Sequence, residues 1–190
     1  TFTTEVGTKW EVLQQRLALT GAIFRVDKQN ARTPGLLPDD PQQVLAGTQR
    51  ADGIELAATG HITRRLRLLS AYTLLSTEIV KSNTAVEVGR RIQNAPRNSG
   101  NVWATYQFSR FLFGGGPRFV GKRYGNNTNT RYVDSYWTME LMASASVNKH
   151  LDLRLNVTNL NDAYYFDRLG GGHVVPGPAR TVMVSTAFRF

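Results

Sequence analysis

The C-terminal stretch Arg180-Thr-Val-Met-Val-Ser-Thr-Ala-Phe-Arg-Phe190 alternates without interruption to its final residue. Val182, Val184, Thr186, Phe188 and Phe190 fall on one face of an extended chain, and Thr181, Met183, Ser185, Ala187 and Arg189 on the other. Side chains along a strand point alternately to opposite sides, so the segment is predicted to be a strand with an apolar, aromatic-ended face. A soluble sheet can carry this pattern. An outer-membrane barrel requires it, because each strand must turn apolar residues to lipid and polar residues to a lumen, with every edge sealed.

At 190 residues the chain has room for one domain. It contains no run of 18 apolar residues, so a membrane-spanning helix is not expected; barrel strands carry no such run. It has no cysteine, which excludes disulfides and thiolate metal sites. The opening Thr1-Phe-Thr-Thr-Glu5 has neither an initiator Met nor a signal-peptide pattern, and the chain is expected to be a portion of something longer. The net charge of +9 raises a soluble, basic, nucleic-acid-binding β-protein as a rival reading. The basic residues, however, are scattered singly (Arg25, Arg50, Arg67, Arg118, Arg131, Arg154, Arg189), often on the polar side of an alternating strand, and the densest clusters, Arg64-Arg65 with Arg67 and Arg90-Arg91, fall in turns. That distribution suits solvated turns and a basic lumen attractive to an anion, and no nucleic-acid partner is expected.

Period-2 alternation between turn residues predicts nine strands, at residues 3–12, 16–28, 49–61, 65–80, 98–109, 111–125, 134–148, 151–166 and 178–190. In the first, Val6, Thr8, Trp10 and Val12 oppose Glu5, Gly7, Lys9 and Glu11. In the eighth, Leu151, Leu153, Leu155 and Val157 oppose Asp152, Arg154, Asn156 and Thr158. The seventh sets Trp137, Met139, Leu141, Ala143, Ala145 and Val147 against Tyr136, Thr138, Glu140, Met142, Ser144 and Ser146. The second, fourth and sixth do not declare their faces.

Connections alternate between short (Gln14-Gln15, Ile62-Thr63-Arg64, Ser109-Arg110, Asn148-Lys149-His150) and long (28–48, 81–97, 124–134, 166–179). A barrel crossing a bilayer does this because one rim only turns the chain while the other carries function outward. Two aromatic bands are expected: Trp10, Tyr106, Phe108, Phe111, Phe113, Phe188 and Phe190 near the short turns, and Tyr124, Tyr136, Trp137, Tyr164, Tyr165 and Phe166 near the long loops. Nine antiparallel strands cannot close on themselves without a parallel seam, so further strands are expected from elsewhere.

Several ordered motifs resemble the C-terminal barrel half of TonB-dependent ferric-siderophore receptors. They are Glu5-Val-Gly-Thr-Lys-Trp10, Leu19-Thr-Gly-Ala-Ile-Phe24, Arg50-Ala-Asp-Gly-Ile-Glu-Leu56, Ala95-Pro-Arg97 before Trp103-Ala-Thr-Tyr106, Gly114-Gly-Gly-Pro-Arg-Phe-Val-Gly-Lys-Arg-Tyr-Gly125, Leu153-Arg-Leu-Asn-Val-Thr-Asn-Leu-Asn-Asp-Ala-Tyr-Tyr165 and Pro176-Gly-Pro-Ala-Arg-Thr181. The resemblance spans nearly the whole chain. It implies an all-β fold in which residues 1–190 supply the last nine strands of a twenty-two-stranded transmembrane barrel in the bacterial outer membrane. It also implies uptake of a ferric siderophore, energised by TonB through a plug and a TonB box outside this chain; a passive porin is the nearest alternative. The chain would be a transporter without catalysis or a resident cofactor, its iron carried by the siderophore. Its implied partners are the ferric siderophore, TonB, outer-membrane lipid and lipopolysaccharide, the N-terminal part of the same receptor, and the barrel-assembly machinery reading Phe188 and Phe190. The loop Tyr124-Gly-Asn-Asn-Thr-Asn-Thr-Arg131 and Gly170-Gly-Gly-His173 resemble the catecholate type.

A ferric tris-catecholate is a compact anion with aromatic faces, for which Arg and Tyr are suited by charge, stacking and cation–π contact. The candidates at the long-loop rim are Tyr124, Arg131, Tyr132, Tyr165, Arg168 and His173, with Asn126 and Asn127 as hydrogen-bonding groups. Membrane girdle is the other reading for Tyr124 and Tyr165. His61, His150 and His173 are too dispersed to form a metal site. Gly114-Gly-Gly116 is expected to permit bending or close packing and Gly170-Gly-Gly172 loop flexibility, while Glu5, Lys9 and Glu55 are expected to form an ion-pair network.

Overall fold

The computed structural model describes residues 1–190 except Pro38, Gly171, Gly172 and Phe190. Its strands in chain order are β1 (Phe2–Val12), β2 (Leu17–Pro34), β3 (Gln43–His61), β4 (Leu66–Lys81), β5 (Asn98–Phe108), β6 (Phe111–Val120), β7 (Arg123–Tyr124), β8 (Tyr132–Val133), β9 (Tyr136–Asn148), β10 (Leu151–Thr158), β11 (Phe166–Gly170), β12 (His173–Pro176) and β13 (Thr181–Phe188). Among the described residues nine of these form one sheet, ordered β1-β2-β3-β4-β5-β6-β9-β10-β13, with every neighbouring pair antiparallel. The hairpins β7-β8 and β11-β12 stand in the long connections, and a single 3-10 turn covers Ala85–Glu87.

Register settles the faces that alternation alone left open. Glu5 opposes Phe24, which opposes Gly53, which opposes Leu75, so these four share the polar-side face with Lys9 and Glu11. On the other face Val6, Ile23, Ile54 and Leu74 align across four strands. The faces read from sequence for β1, β9, β10 and β13 are those observed. Trp10, Tyr106, Phe108, Phe111, Phe113 and Phe188 all lie on the apolar face near the short turns, while Phe190 lies outside the described residues.

The second aromatic band is narrower than expected. Trp137 and its partner Phe119 occupy the apolar face near the long loops. Tyr136 and Tyr165 turn inward and are buried, and Tyr124 belongs to the β7-β8 hairpin.

Five strand limits differ from the sequence reading by three residues or more. β2 and β3 run on past residues 28 and 49 to Pro34 and back from Gln43, so most of the expected 28–48 loop is paired strand. β6 stops at Val120 rather than 125, because the chain leaves the sheet at Gly121, whose N–H donates to the Asn98 carbonyl at 2.8 Å. β10 stops at Thr158 rather than 166, where Asn159 and Asp162 take φ of 50° and 51° and make a tight turn. The last strand is narrower too, starting at Thr181 instead of 178.

The Glu5–Lys9–Glu55 network is also corrected. Lys9 bonds Glu11 at 2.9 Å, and among the described residues neither Glu5 nor Glu55 comes within ion-pair distance of a cation. Gly114-Gly-Gly116 does serve close packing: a Cβ on Gly114 would press on the Trp103 and Thr105 side chains, and one on Gly116 would collide with the Val102 carbonyl.

The apolar face is uncovered by the rest of the chain: Val6, Val184 and Phe188 are 67%, 69% and 65% exposed. Among the described residues no helix is long and apolar enough to cross a membrane, which says nothing of strands. The buried residues (Ala31, Thr33, Ile79, Val120, Arg123, Val133, Tyr136, Thr138, Asn159, Tyr165) gather instead at the long-loop end. A sheet with its packing confined to one rim and a bare apolar band below needs hydrocarbon around it. Val184→Arg is therefore expected to cost at least about 2 kcal/mol of folded-barrel stability in lipid, and Ser185→Arg on the opposite face far less, measured by denaturant titration in vesicles.

Candidate functional site

Three long connections (82–97, 121–135 and 159–180) are fastened to one another above the polar face. Arg123, brought in by the two-residue strand β7, is the fastening point. It is 6% exposed; its Nη1 donates to the Asp167 carbonyl at 2.7 Å and to Asn94 Oδ1 at 3.4 Å, and its Nη2 to the Phe166 carbonyl. Its guanidinium lies 5.7 Å from the Tyr136 ring centre, and its Nε has no partner among the described residues. Tyr136 stacks on Tyr165 with centroids 4.2 Å apart and donates from its hydroxyl to Asp167 at 3.4 Å. Burial, and after it the Asp167 carboxylate, holds the Tyr165 phenol above its usual pKa, so it stays neutral.

Further bonds join the first two loops. The Asn94 N–H donates to the Tyr124 carbonyl at 2.7 Å, Asn129 Oδ1 accepts from the Arg91 N–H at 2.8 Å, and Asn129 Nδ2 returns a bond to the Arg91 carbonyl at 2.9 Å. The 82–97 loop is also tied to the end of β2, where the buried Thr33 hydroxyl accepts from the Asn83 N–H at 2.8 Å and meets Ser82 Oγ at 2.9 Å. In the third loop, Asn159 donates to the Ala163 and Pro178 carbonyls and accepts from the Ala163 N–H, closing the turn that ends β10.

Under this cap the sheet bears a cavity of about 530 Å³ lined on its polar side by Thr73, Asn94, Ser99, Asn101, Trp103, Arg118, Arg123 and Glu140. Arg118 stands between Asn101 and Thr138 in register, two residues along β6 from Gly116. An indole, an exposed guanidinium, several amides and hydroxyls, and a single carboxylate form a surface suited to a polar anion with aromatic parts.

The sequence-derived candidates divide into two groups. Exposed at the rim are Arg131, Tyr132 and His173, together with Arg168, whose Nε lies 3.8 Å from Asp167. Tyr124 and Tyr132 face each other across β7-β8 with the Lys122 ammonium 5.6 Å and 3.5 Å from their ring centres. The other group is built into the loops. Asn126 donates to Thr128 and Thr130 and accepts from the Thr130 and Arg131 N–H groups; Asn127 accepts from the Gln93 N–H at 3.4 Å. Tyr165 is 8% exposed and covered by Tyr136.

Sequence reasoning passed over Arg123, Asn129, Trp103 and Arg118. The available signals were the inward parity of Trp103 on a strand whose even residues are mostly apolar, and the placement of Arg123 two residues beyond Gly121, where the chain leaves the sheet. Of the three histidines, His61 ends β3 and His150 Nδ1 sits 3.0 Å from the Arg189 carbonyl, far from His173. Among the described residues no cluster of three or more His, Cys, Asp or Glu is placed to hold a metal.

Comparison with known proteins agrees with this geometry. The family model described as TonB dependent receptor-like, beta-barrel, matches residues 1–160. A probable TonB-dependent siderophore receptor of Acinetobacter baumannii, PiuA, is 32% identical over 200 residues, covering 99% of this chain and 26% of that protein. The catecholate siderophore receptor Fiu of Escherichia coli is 29% identical over 196 residues, covering 99% and 25%. The crystal structure of PiuA superposes with a TM-score of 0.88 at 33% identity, over 98% of this chain and 28% of that one. The closed form of Fiu gives 0.82 at 29% identity, over 99% and 27%. The chain thus spans about a quarter of the length of the curated relatives it matches.

Proposed function

From the premise that the chain belongs to the TonB-dependent receptor family, as an outer-membrane β-barrel component, we propose that it supplies the ligand-gathering wall of a ferric-siderophore transporter. In this reading residues 1–190 are the C-terminal portion of a barrel of twenty-two strands. The upstream strands and plug come from outside this chain, and TonB supplies the energy through that upstream region. Antiparallel closure supports a larger barrel, since β1 and β13 run in the same direction and, among the described residues, each has one edge unpaired.

The observation that carries the reading is the polar cavity with Trp103, Arg118 and Arg123 beneath three interlocked loops. A ferric catecholate presents a delocalised negative charge and aromatic rims. Exposed Arg131 and Arg168 would meet it first, Tyr124, Tyr132 and His173 would contact its faces, and Arg118 and Trp103 would receive it below. Asn126, Asn127 and Tyr165 act by shaping the loops that carry those groups. Phe188, on the last strand, and Phe190 remain the segment offered to the assembly machinery, and lipopolysaccharide is the lipid expected around the long-loop rim.

Arg131→Ala with Arg168→Ala in the complete receptor is expected to weaken ferric-catecholate binding about 10- to 100-fold, as loss of two charge-assisted contacts implies. Unchanged affinity and uptake at normal surface expression would remove both residues from the site. Uptake that persists without TonB would instead identify a passive pore.

A further inference from the structure

Opposite the interlocked loops, four short turns (13–16, 62–65, 109–110 and 149–150) each carry at least one cation and no acid: Arg16, Arg64 with Arg65, Arg110, and Lys149. The acids nearest this rim, Glu11 and Asp152, lie on the polar face and are already engaged by Lys9 and Arg189. Among the described residues no carboxylate comes within ion-pair distance of those five turn cations. At the loop end, by contrast, Arg25, Arg50, Arg168 and Arg180 each have an Asp partner. Arg110 lies 5.2 Å from the centre of the Phe111 ring, which faces outward on the apolar side, so its charge sits at the level where hydrocarbon meets water.

Two of these turns are brought together by construction. Gly60 has φ of +141°, and a Cβ there would collide with the Arg16 carbonyl, to which the His61 N–H donates at 2.7 Å. The resulting depression of about 410 Å³ is lined by Arg16, Ile62, Thr63, Arg64 and Arg65. The turn's own polar groups are satisfied: the Ile62 and Thr63 N–H groups donate to the Leu66 carbonyl, and Thr63 Oγ1 accepts from the Arg65 and Leu66 N–H groups. Among the described residues the guanidinium donors remain open apart from Arg16 Nε, which donates to the Leu13 carbonyl at 2.9 Å. On the apolar face directly below, Gly60 lies in register between Leu17 and Leu68, and Ala58 between Leu19 and Ser70. This makes a furrow that leads from the three arginines into the apolar band.

We propose that this depression binds an anionic glycerophospholipid of the periplasmic leaflet, its phosphate held by Arg16, Arg64 and Arg65 and one acyl chain lying along the Ala58–Gly60 furrow. Short turns of such barrels face the periplasm, which excludes lipopolysaccharide from this rim. Guanidinium forks match phosphate oxygens, and a lipid with net negative charge gains from all three, whereas a zwitterionic lipid brings its own ammonium to the same place. The inference rests on the membrane-barrel reading and extends it to the opposite compartment.

The test uses the complete receptor, folded and extracted from outer membranes, with native mass spectrometry reading retained phosphatidylglycerol against phosphatidylethanolamine. Wild type is expected to retain phosphatidylglycerol preferentially. Arg16→Gln, Arg64→Gln and Arg65→Gln together should lower that affinity roughly fivefold per arginine, on the order of a hundredfold in all, while the triple Lys replacement keeps a preference for the anionic lipid. Equal retention of the two lipids by wild type, or an unchanged preference in the triple Gln protein, overturns the proposal. Should the triple protein fail to fold, Arg64→Gln alone is measured, and an unchanged preference there overturns it equally. Heat-modifiable migration reports barrel formation separately, so a folded barrel without lipid preference counts against this site and not against the receptor.

Discussion

Arg123→Met is expected to release all three long loops at once. The substitution keeps much of the side-chain volume but removes the donors to the Phe166 and Asp167 carbonyls and to Asn94 Oδ1. Hydrogen bonds from a buried charged group contribute about 1.5–3 kcal/mol each, and the deserted carbonyls are half-buried, so the loop assembly should lose about 3–5 kcal/mol. Amide hydrogen exchange in the assembled receptor should then quicken by about two to three orders of magnitude at Asn94, at Gly125 and around Asp167, segments far apart in sequence. Acceleration confined to residues beside Arg123 would show that the loops open independently. Ferric-siderophore affinity should fall as well, through loss of a pre-arranged surface.

Gly116→Val should prevent the barrel from forming. The obstacle is the Val102 carbonyl on the neighbouring strand, and backbone cannot swing aside as a lysine tip does. Pro117 already interrupts the β5-β6 ladder at this point by lacking an N–H, leaving little pairing to absorb a shift. A cost above about 3 kcal/mol is expected, at the upper end for overpacking. Gly125→Ala is the control, since a Cβ there meets nothing nearer than 3.9 Å. Heat-modifiable migration of outer-membrane fractions should show folded receptor for Gly125→Ala and little for Gly116→Val; equal yields would mean that β5 and β6 are looser than described.

The sequence made the membrane-crossing parts legible because hydrocarbon on one side and water on the other impose period 2. Within their observed limits the faces of β13, β9 and β10 read correctly for that reason. Beyond the bilayer hydrocarbon no longer imposes that pattern, and one face of the β2 extension, at Ala31 and Thr33, is buried against the 82–97 loop instead. Residues 29–34 and 43–48 are paired strand, yet Gln29-Asn-Ala-Arg-Thr-Pro34 shows no alternation and reads as loop. Asn159 to Tyr165 erred in the opposite direction, since its aromatics imitate a strand while Asn159 and Asp162 turn the chain.

The candidate site was legible by compartment and by residue class but not by contact. Tyr165 and Tyr132 have the same chemistry in sequence, and only the fold buries one under Tyr136 and leaves the other 55% exposed. The partners of Arg123 were illegible because two of the three are main-chain carbonyls more than forty positions away, and any residue type supplies a carbonyl.

The overlong β2-β3 hairpin has a consequence for what the cell displays. Eighteen residues of β2 span about 59 Å along the strand, against roughly ten residues needed to cross the hydrocarbon on a tilt. The surplus lifts Leu36, Leu37 and Leu45, each at least 66% exposed, clear of the bilayer at the outer rim. An antibody, a phage tail fibre or a bacteriocin approaching from outside would meet this promontory early. Membrane physics does not fix the sequence of that tip, and the hairpin can change there without disturbing the sheet that carries it.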